Sequence, residues 1–207
     1  NSENRGAADL IMKFDDVTEA NLMLSNYVYT VVDEEKLGEG FLEWLKEVEE
    51  YMAEPRNQYH VTLYGLSEES LKTYMEKAGI KADLSGNKPK AIVVNQNVYK
   101  DYETGQYVEL EVFNGKVGDT LTLTTEKWDE EGSEKITLGD VEIAALTAEL
   151  PLGISKENTP NMLNIIISEE DYLKMVSNGE SDYSSYHYYN LYLNSKDPAK
   201  TEKEIED

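Results

Sequence analysis

The sequence contains no cysteine, which excludes thiol nucleophiles, disulfide frameworks and cysteine-ligated metal centres together. Histidine is nearly as scarce. His60 and His187 each fall inside a strand-like run, with no HExxH and no Asp-x-His spacing beside them, whereas a metal centre needs three or four converging ligands. Positive charge is thin, with 19 Lys plus Arg, the arginines being Arg5 and Arg56. Clustered Lys and Arg are what hold phosphate backbones and anionic lipid headgroups, so nucleic acid is excluded as a partner. No run approaches the roughly 20 apolar residues that cross a bilayer, and no basic-plus-apolar leader opens the chain. Because it begins at Asn1 and not at Met, the chain is expected to be a piece of something longer. There is no Gly-Lys-Ser/Thr phosphate loop, no GxGxxG after a strand and no GxSxG elbow, so any nucleotide the protein works with sits on another chain.

Acid, tyrosine and β-branched residues fill the space. Asp and Glu number 42, giving a formal net charge of −23. Such a charge is compatible with disorder, but 15 tyrosines, 3 phenylalanines and 2 tryptophans supply apolar surface that disordered chains lack. At 207 residues there is length for one or two domains with a real core. A folded protein with a strongly acidic skin follows. The acidic clusters at 33–35, 47–50, 129–131 and 202–207 read as solvated faces. A glycosidase needs two carboxylates at a set separation in a cleft, and nothing in the sequence singles out such a pair. NGESD (178–182) and DYETG (101–105) carry oxygen ligands but do not match the twelve-residue calcium loop. No catalytic residue, metal ligand or cofactor is assigned.

Periodicity sketches the elements. DLIMKF (Asp9–Phe14) and YVYTVV (Tyr27–Val32) read as strands. Between Leu37 and Met52 the apolar residues recur at steps of three and four, a helix that Pro55 ends. YHVTLY (Tyr59–Tyr64) is a strand, followed by a helix with Ser67 as N-cap and Gly79 as C-terminal cap. From Lys90 the texture turns to short strands: 91–96, 107–113, 120–125 and 135–150, with NGKVGD (114–119) and DEEGSE (129–134) as hairpin turns. After Pro151 and Pro160 come a strand in NMLNIIIS, a helix at Glu169–Ser177 and a last strand at Tyr186–Leu193. Asp197 then caps a terminal helix with Pro198 at its first position. The order αβ, β-rich, αβ is met most simply by an α+β fold of two lobes. One is a split βαβ lobe of residues 1–58 and 159–207; the other is a small β-rich lobe inserted at 59–158.

The densest aromatic stretch is YHYYNLY (Tyr186–Tyr192). Under period-two alternation His187, Tyr189, Leu191 and Leu193 form the core face. Tyr186, Tyr188 and Tyr192 share the other face and are the candidates for ligand contact, amphipathic enough to line a wet groove.

Taken in order, several stretches resemble the extracellular domain of FtsX-like ABC transporter permeases, the MacB-like periplasmic core. They are EKAGI (76–80) leading to KPKAIVVNQNVYKDY (88–102), then KVGDTLTLTT (116–125) with ITLGDVEIAAL (136–146), and finally YYNLYLNSKDPAKTEKEIED (188–207). The resemblance covers residues 67–207; the first sixty match less clearly. It implies a membrane-anchored, non-catalytic domain on the extracellular side, with the split lobe membrane-proximal. Its partner would be a cytoplasmic ABC ATPase subunit reached through membrane helices, and its substrate a lipoprotein, peptide or lipid exported, released or sensed. The reading from another class is a freestanding secreted or cell-surface ligand-binding module using exposed tyrosine faces.

Overall fold

A computed structural model describes residues 2–51, 55–101, 104–129, 132–178 and 189–206. Three of its helices start where the sequence carries a cap. Helix α3 (Glu68–Lys77) begins after Ser67, whose hydroxyl accepts from the Ser70 amide. Helix α4 (Glu169–Ser177) begins after Ser168, which accepts from the Asp171 amide. Helix α5 (Pro198–Glu206) begins after Asp197, whose carboxylate accepts from the Lys200 amide at 3.1 Å. Each cap satisfies an amide that the helix itself leaves without a partner. The far end of α3 is closed by Gly79 at φ +67°, with the Gly79 amide bonded to the Glu76 carbonyl and the Ile80 amide to Met75. This is the Schellman arrangement, and it folds Ile80 back beside Met75.

Two local expectations change. Residues 9–11 of the expected first strand lie in helix α1 (Ser2–Ile11): the alternation in DLIMKF is short, and the upstream Ala7–Ala8 favours helix. Helix α2 spans Glu39–Val48, shorter than the expected apolar period; a 3-10 turn at Glu34–Lys36 precedes it and another at Glu49–Tyr51 takes up residues beyond Val48.

The strands are β1 (Val17–Val31), β2 (Gln58–Leu66), β3 (Lys90–Val94), β4 (Gln96–Lys100), β5 (Tyr107–Glu111), β6 (Thr120–Asp129), β7 (Gly132–Thr147), β8 (Met162–Ser168) and β9 (Asn190–Ser195). Seven form one mixed sheet in the order β2-β8-β3-β7-β6-β1-β9, and β1 also pairs with β2. The first six therefore close into a ring. Its seam is the β1–β6 contact, a single bridge at Tyr29 and Thr124. Closure leaves few open backbone edges. The fold is α+β, as expected. Residues 59–158 contribute β2 from Tyr59 onward, β3, β6 and β7 to this sheet and, outside it, the antiparallel ribbon β4–β5. NGKVGD joins β5 to β6, which do not pair with each other, so it is a turn between sheets and not a hairpin.

Alternation along the strands separates two clusters. Leu24, Val28, Val61, Leu63, Ile165 and Ile167 point into the ring. Phe41 and Leu45 of α2 join them beside Tyr59, with ring centroids of Phe41 and Tyr59 4.8 Å apart. Tyr172, Met175 and Val176 of α4 join them beside Gly65. On the outer face Met23, Leu66, Ile92, Val94 and Ile166 are covered by Leu71 and Tyr74 of α3.

The elements at the two ends of the chain meet. Val17 at the start of β1 pairs with Ser195 at the end of β9, and the Lys196 amide donates to the Asp16 carbonyl at 2.9 Å. Lys200 of α5 forms an ion pair with Asp16. Helices α1 and α5 thus attach to the sheet at one place.

Candidate functional site

The odd-numbered residues of β1 face outward, and their register with β2 sets side chains next to one another. Tyr29 lies opposite His60, Tyr27 opposite Thr62, and Ser25 opposite Tyr64. The Tyr29 and His60 rings meet edge to face at 5.1 Å. Strand β9 continues the surface on the other edge of β1, with Tyr192 opposite Asn21. Tyr27 is 75% exposed and Tyr192 36%, so a tyrosine-rich face drawn from three strands is open to solvent.

Electrostatics ties three of these phenols together. The Tyr64 hydroxyl is pushed up to about 12, chiefly by burial, with a hydrogen bond to Thr62 opposing and the neighbouring phenols of Tyr27 and Tyr192 adding to the rise. The Tyr64 phenol therefore stays protonated at neutral pH, and the ring surfaces of the face are suited to stacking and hydrogen bonding. Tyr192 is fixed by Gly153, whose absent side chain leaves room for the ring: a Cβ there would lie 2.2 Å from it.

The tyrosine face borders a cleft of about 260 Å³ between α3, the start of β1 and residues 149–152. Asn21 donates through Nδ2 to the Leu152 carbonyl at 2.8 Å, and the Tyr74 hydroxyl donates to the Glu149 carbonyl at 2.8 Å, so the segment after β7 is pinned over the sheet. Lys77 and Glu19 pair across the mouth. Asn21 Oδ1 is buried without a hydrogen-bond partner.

Of the tyrosines singled out from the sequence, Tyr186 and Tyr188 lie outside the described residues, and Tyr192 is on the face just built. Tyr189 turns the other way, packing against the inner cluster as expected. Its hydroxyl meets the Glu169 carboxylate, and Arg5 stands 5.5 Å from its ring centre. Burial first, then Glu169, pushes that phenol up to about 12. Sequence reasoning passed over Tyr27, Tyr29 and Tyr64. The available signal was the spacing of two in YVY and the aromatic ends of YHVTLY; what was hidden is that these strands pair in this register. Among the described residues no group of three His, Cys, Asp or Glu is arranged to hold a metal ion.

No family model matches the chain. No curated protein matches it either. Among solved structures, the chain is similar to the extracellular domain of the noncanonic ABC-type transporter YknZ from Gram-positive bacteria. Identity is 13%, the match covers 97% of this chain and 76% of that one, and the TM-score is 0.40.

Proposed function

We propose that the protein is the non-catalytic extracellular domain of an FtsX-like ABC transporter permease, of the MacB-like periplasmic core type, which couples a cytoplasmic ATPase to the export, release or sensing of a lipoprotein, peptide or lipid. The observation that carries this reading is the meeting of α1 and α5 at one place on the sheet, through the Val17–Ser195 bridge and the Asp16–Lys200 pair. A domain set between two membrane helices needs its entry and exit adjacent, so that a movement of the helices reaches it through both. The ordered stretches of residues 67–207 that resemble this family add to it. Among the described residues no helix is long and apolar enough to cross a membrane, so in this reading the spans belong to other segments.

In the same reading the ring acts as a rigid body and the tyrosine face of Tyr27, Tyr64 and Tyr192 is the surface offered to substrate. The test uses the absence of cysteine. A cysteine at Thr104, exposed in the β4–β5 turn, is introduced into the full-length gene product, any cysteine outside these 207 residues being replaced, and is treated with a membrane-impermeant maleimide on intact cells beside the unsubstituted protein. Labelling of intact cells, with the protein pelleting in the membrane fraction, is expected. Labelling only after lysis would refute the placement. The exposed tyrosines also suit a freestanding secreted or cell-surface ligand-binding module, and recovery of the labelled protein from the medium would put that reading in its place.

A further inference from the structure

The outer layer contains an apolar groove of about 600 Å³ that no part of the described chain fills. One wall is the face of α3 that carries Glu68, Leu71, Lys72, Met75 and Glu76, the three-and-four spacing of a helix stripe. The Schellman turn brings Ile80 and then Leu84 up as the second wall, and residues 168–170 at the start of α4 close the end. Leu66 and Leu71 are buried in its floor; Met75, Ile80 and Leu84 are half-buried and offer apolar surface to an incoming group. At 10 residues, α3 gives the groove a length of about 15 Å. That matches three turns of a second helix.

The rim is acidic. Glu68, Glu76, Asp83, Glu169 and Glu170 surround the apolar floor, with Lys72 the cation among the lining residues. Arg5 is bonded to Glu169 and Lys174 to Glu170, and Lys90 stands beside Asp83; with those three counted the carboxylates still outnumber the cations. Helix N-termini attract anions, but here the capping hydroxyls of Ser67 and Ser168 already take the amides of Ser70 and Asp171. Arg5 gives an internal precedent for what the rim accepts: a guanidinium carried on a helix, whose Nη1 donates to both carboxylate oxygens of Glu169 at 3.0 and 2.9 Å.

We propose that this groove is a docking site for a basic amphipathic helix of a partner polypeptide. Apolar residues at i, i+3 or i+4 and i+7 fill the floor over Met75, Ile80 and Leu84, and flanking Lys or Arg pair with the acidic rim. The inference stands on the groove alone and does not depend on the membrane reading above.

The probe is a fluorescein-labelled peptide of about 18 residues, Leu and Lys in an amphipathic helical pattern, with a scrambled peptide of the same composition as control. Each is titrated against the 207-residue chain by fluorescence anisotropy at low and high ionic strength. Saturable binding of the patterned peptide, weakening with salt, is expected. Met75→Lys is expected to weaken it at least about tenfold, as is the triple change Glu68→Gln, Glu76→Gln, Asp83→Asn, while Glu109→Gln, Glu111→Gln, Glu134→Gln on the far strands leaves it within about twofold. Leu84→Gln reads the same floor if Met75→Lys lowers the melting temperature. Absence of saturable binding at low salt would overturn the proposal. So would equal binding of the scrambled peptide, or an equal loss in the far-strand variant, since either assigns the attraction to the acidic skin at large.

Discussion

Replacing Gly65 by alanine puts a methyl group where Tyr172 already lies. A Cβ at residue 65 would stand 2.5 Å from Tyr172 Cβ and 2.6 Å from its Cγ, against an ordinary contact of about 3.5–4.0 Å. The glycine is not in the left-handed region, so the whole effect is steric. A clash with the far end of a flexible side chain would be relieved by a rotamer change. Here the struck atoms are the root of a fully buried side chain on α4, so the helix itself must move about 1 Å away from β2. Overpacking of this kind typically costs 1–3 kcal/mol, and the rigidity of the contact places Gly65→Ala near the top, at about 2–3 kcal/mol. For a chain of this size that lowers the melting temperature by roughly 4–12 °C. Urea unfolding followed by far-UV circular dichroism measures it. Tyr172→Gly removes Cβ, Cγ and the ring together, at its own cavity and helix-propensity cost, and adding Gly65→Ala to it should cost less than about 1 kcal/mol more, a coupling of about 1–2 kcal/mol in the double-mutant cycle. A cost below about 0.5 kcal/mol for Gly65→Ala, or strict additivity in the cycle, would refute the idea that the glycine exists to admit this ring.

Two further predictions follow from buried polar groups. Burial holds the hydroxyls of Tyr59, Tyr74 and Tyr172 above their ordinary value of 10.0; the folded state resists ionisation that the unfolded chain undergoes, so their contribution is intact below pH 10 and is lost as pH rises toward the folded values. Each adds a slope of about 1.4 kcal/mol per pH unit, and urea midpoints above pH 10 should fall together with a delayed phenolate absorbance; a flat midpoint to about pH 11 would contradict this. Asn97, 1% exposed, donates through Nδ2 to the carbonyls of Thr159 and Met162 at 2.9 and 2.8 Å, tying β4 to the entry of β8. Asn97→Ala leaves both part-buried acceptors without that donor and should cost about 1–2 kcal/mol in urea unfolding, with a loss under about 0.5 kcal/mol counting against the assignment.

What the sequence made legible was local. Ser67 and the Asp197–Pro198 pair place two helix starts because each acts on amides within one turn. β8 is legible as an apolar run, Leu163 and Ile165–Ile167, with the helix at 169–177 directly after it; Ser168, which caps that helix, was not singled out. The first half of β1 was not legible: Thr18–Asn26 mixes strand and helix formers, and is held extended by β9 along one edge at 17–23 and by β2 along the other from Met23. Ring closure was further still from view, since its seam joins residues 95 positions apart through one bridge and two threonine hydroxyl bonds. The tyrosine face fell between these cases. Its members alternate visibly within each strand, but the strand order that gathers Tyr27, Tyr64 and Tyr192 is a property of the whole sheet.

The way α1 and α5 attach decides how the molecule answers a pull. Strands β1 and β9 run antiparallel, and the two helices leave them at the same end. Force applied through both helices therefore loads that strand pair as a zipper is loaded, one bridge at a time beginning at Val17 and Ser195, and not as a lap joint in which all bridges share the strain. Lys200 on Asp16 and Lys196 on the Asp16 carbonyl are the first fasteners. Small displacements of the helices can part them while the ring behind, closed on itself and filled with side chains, keeps its shape.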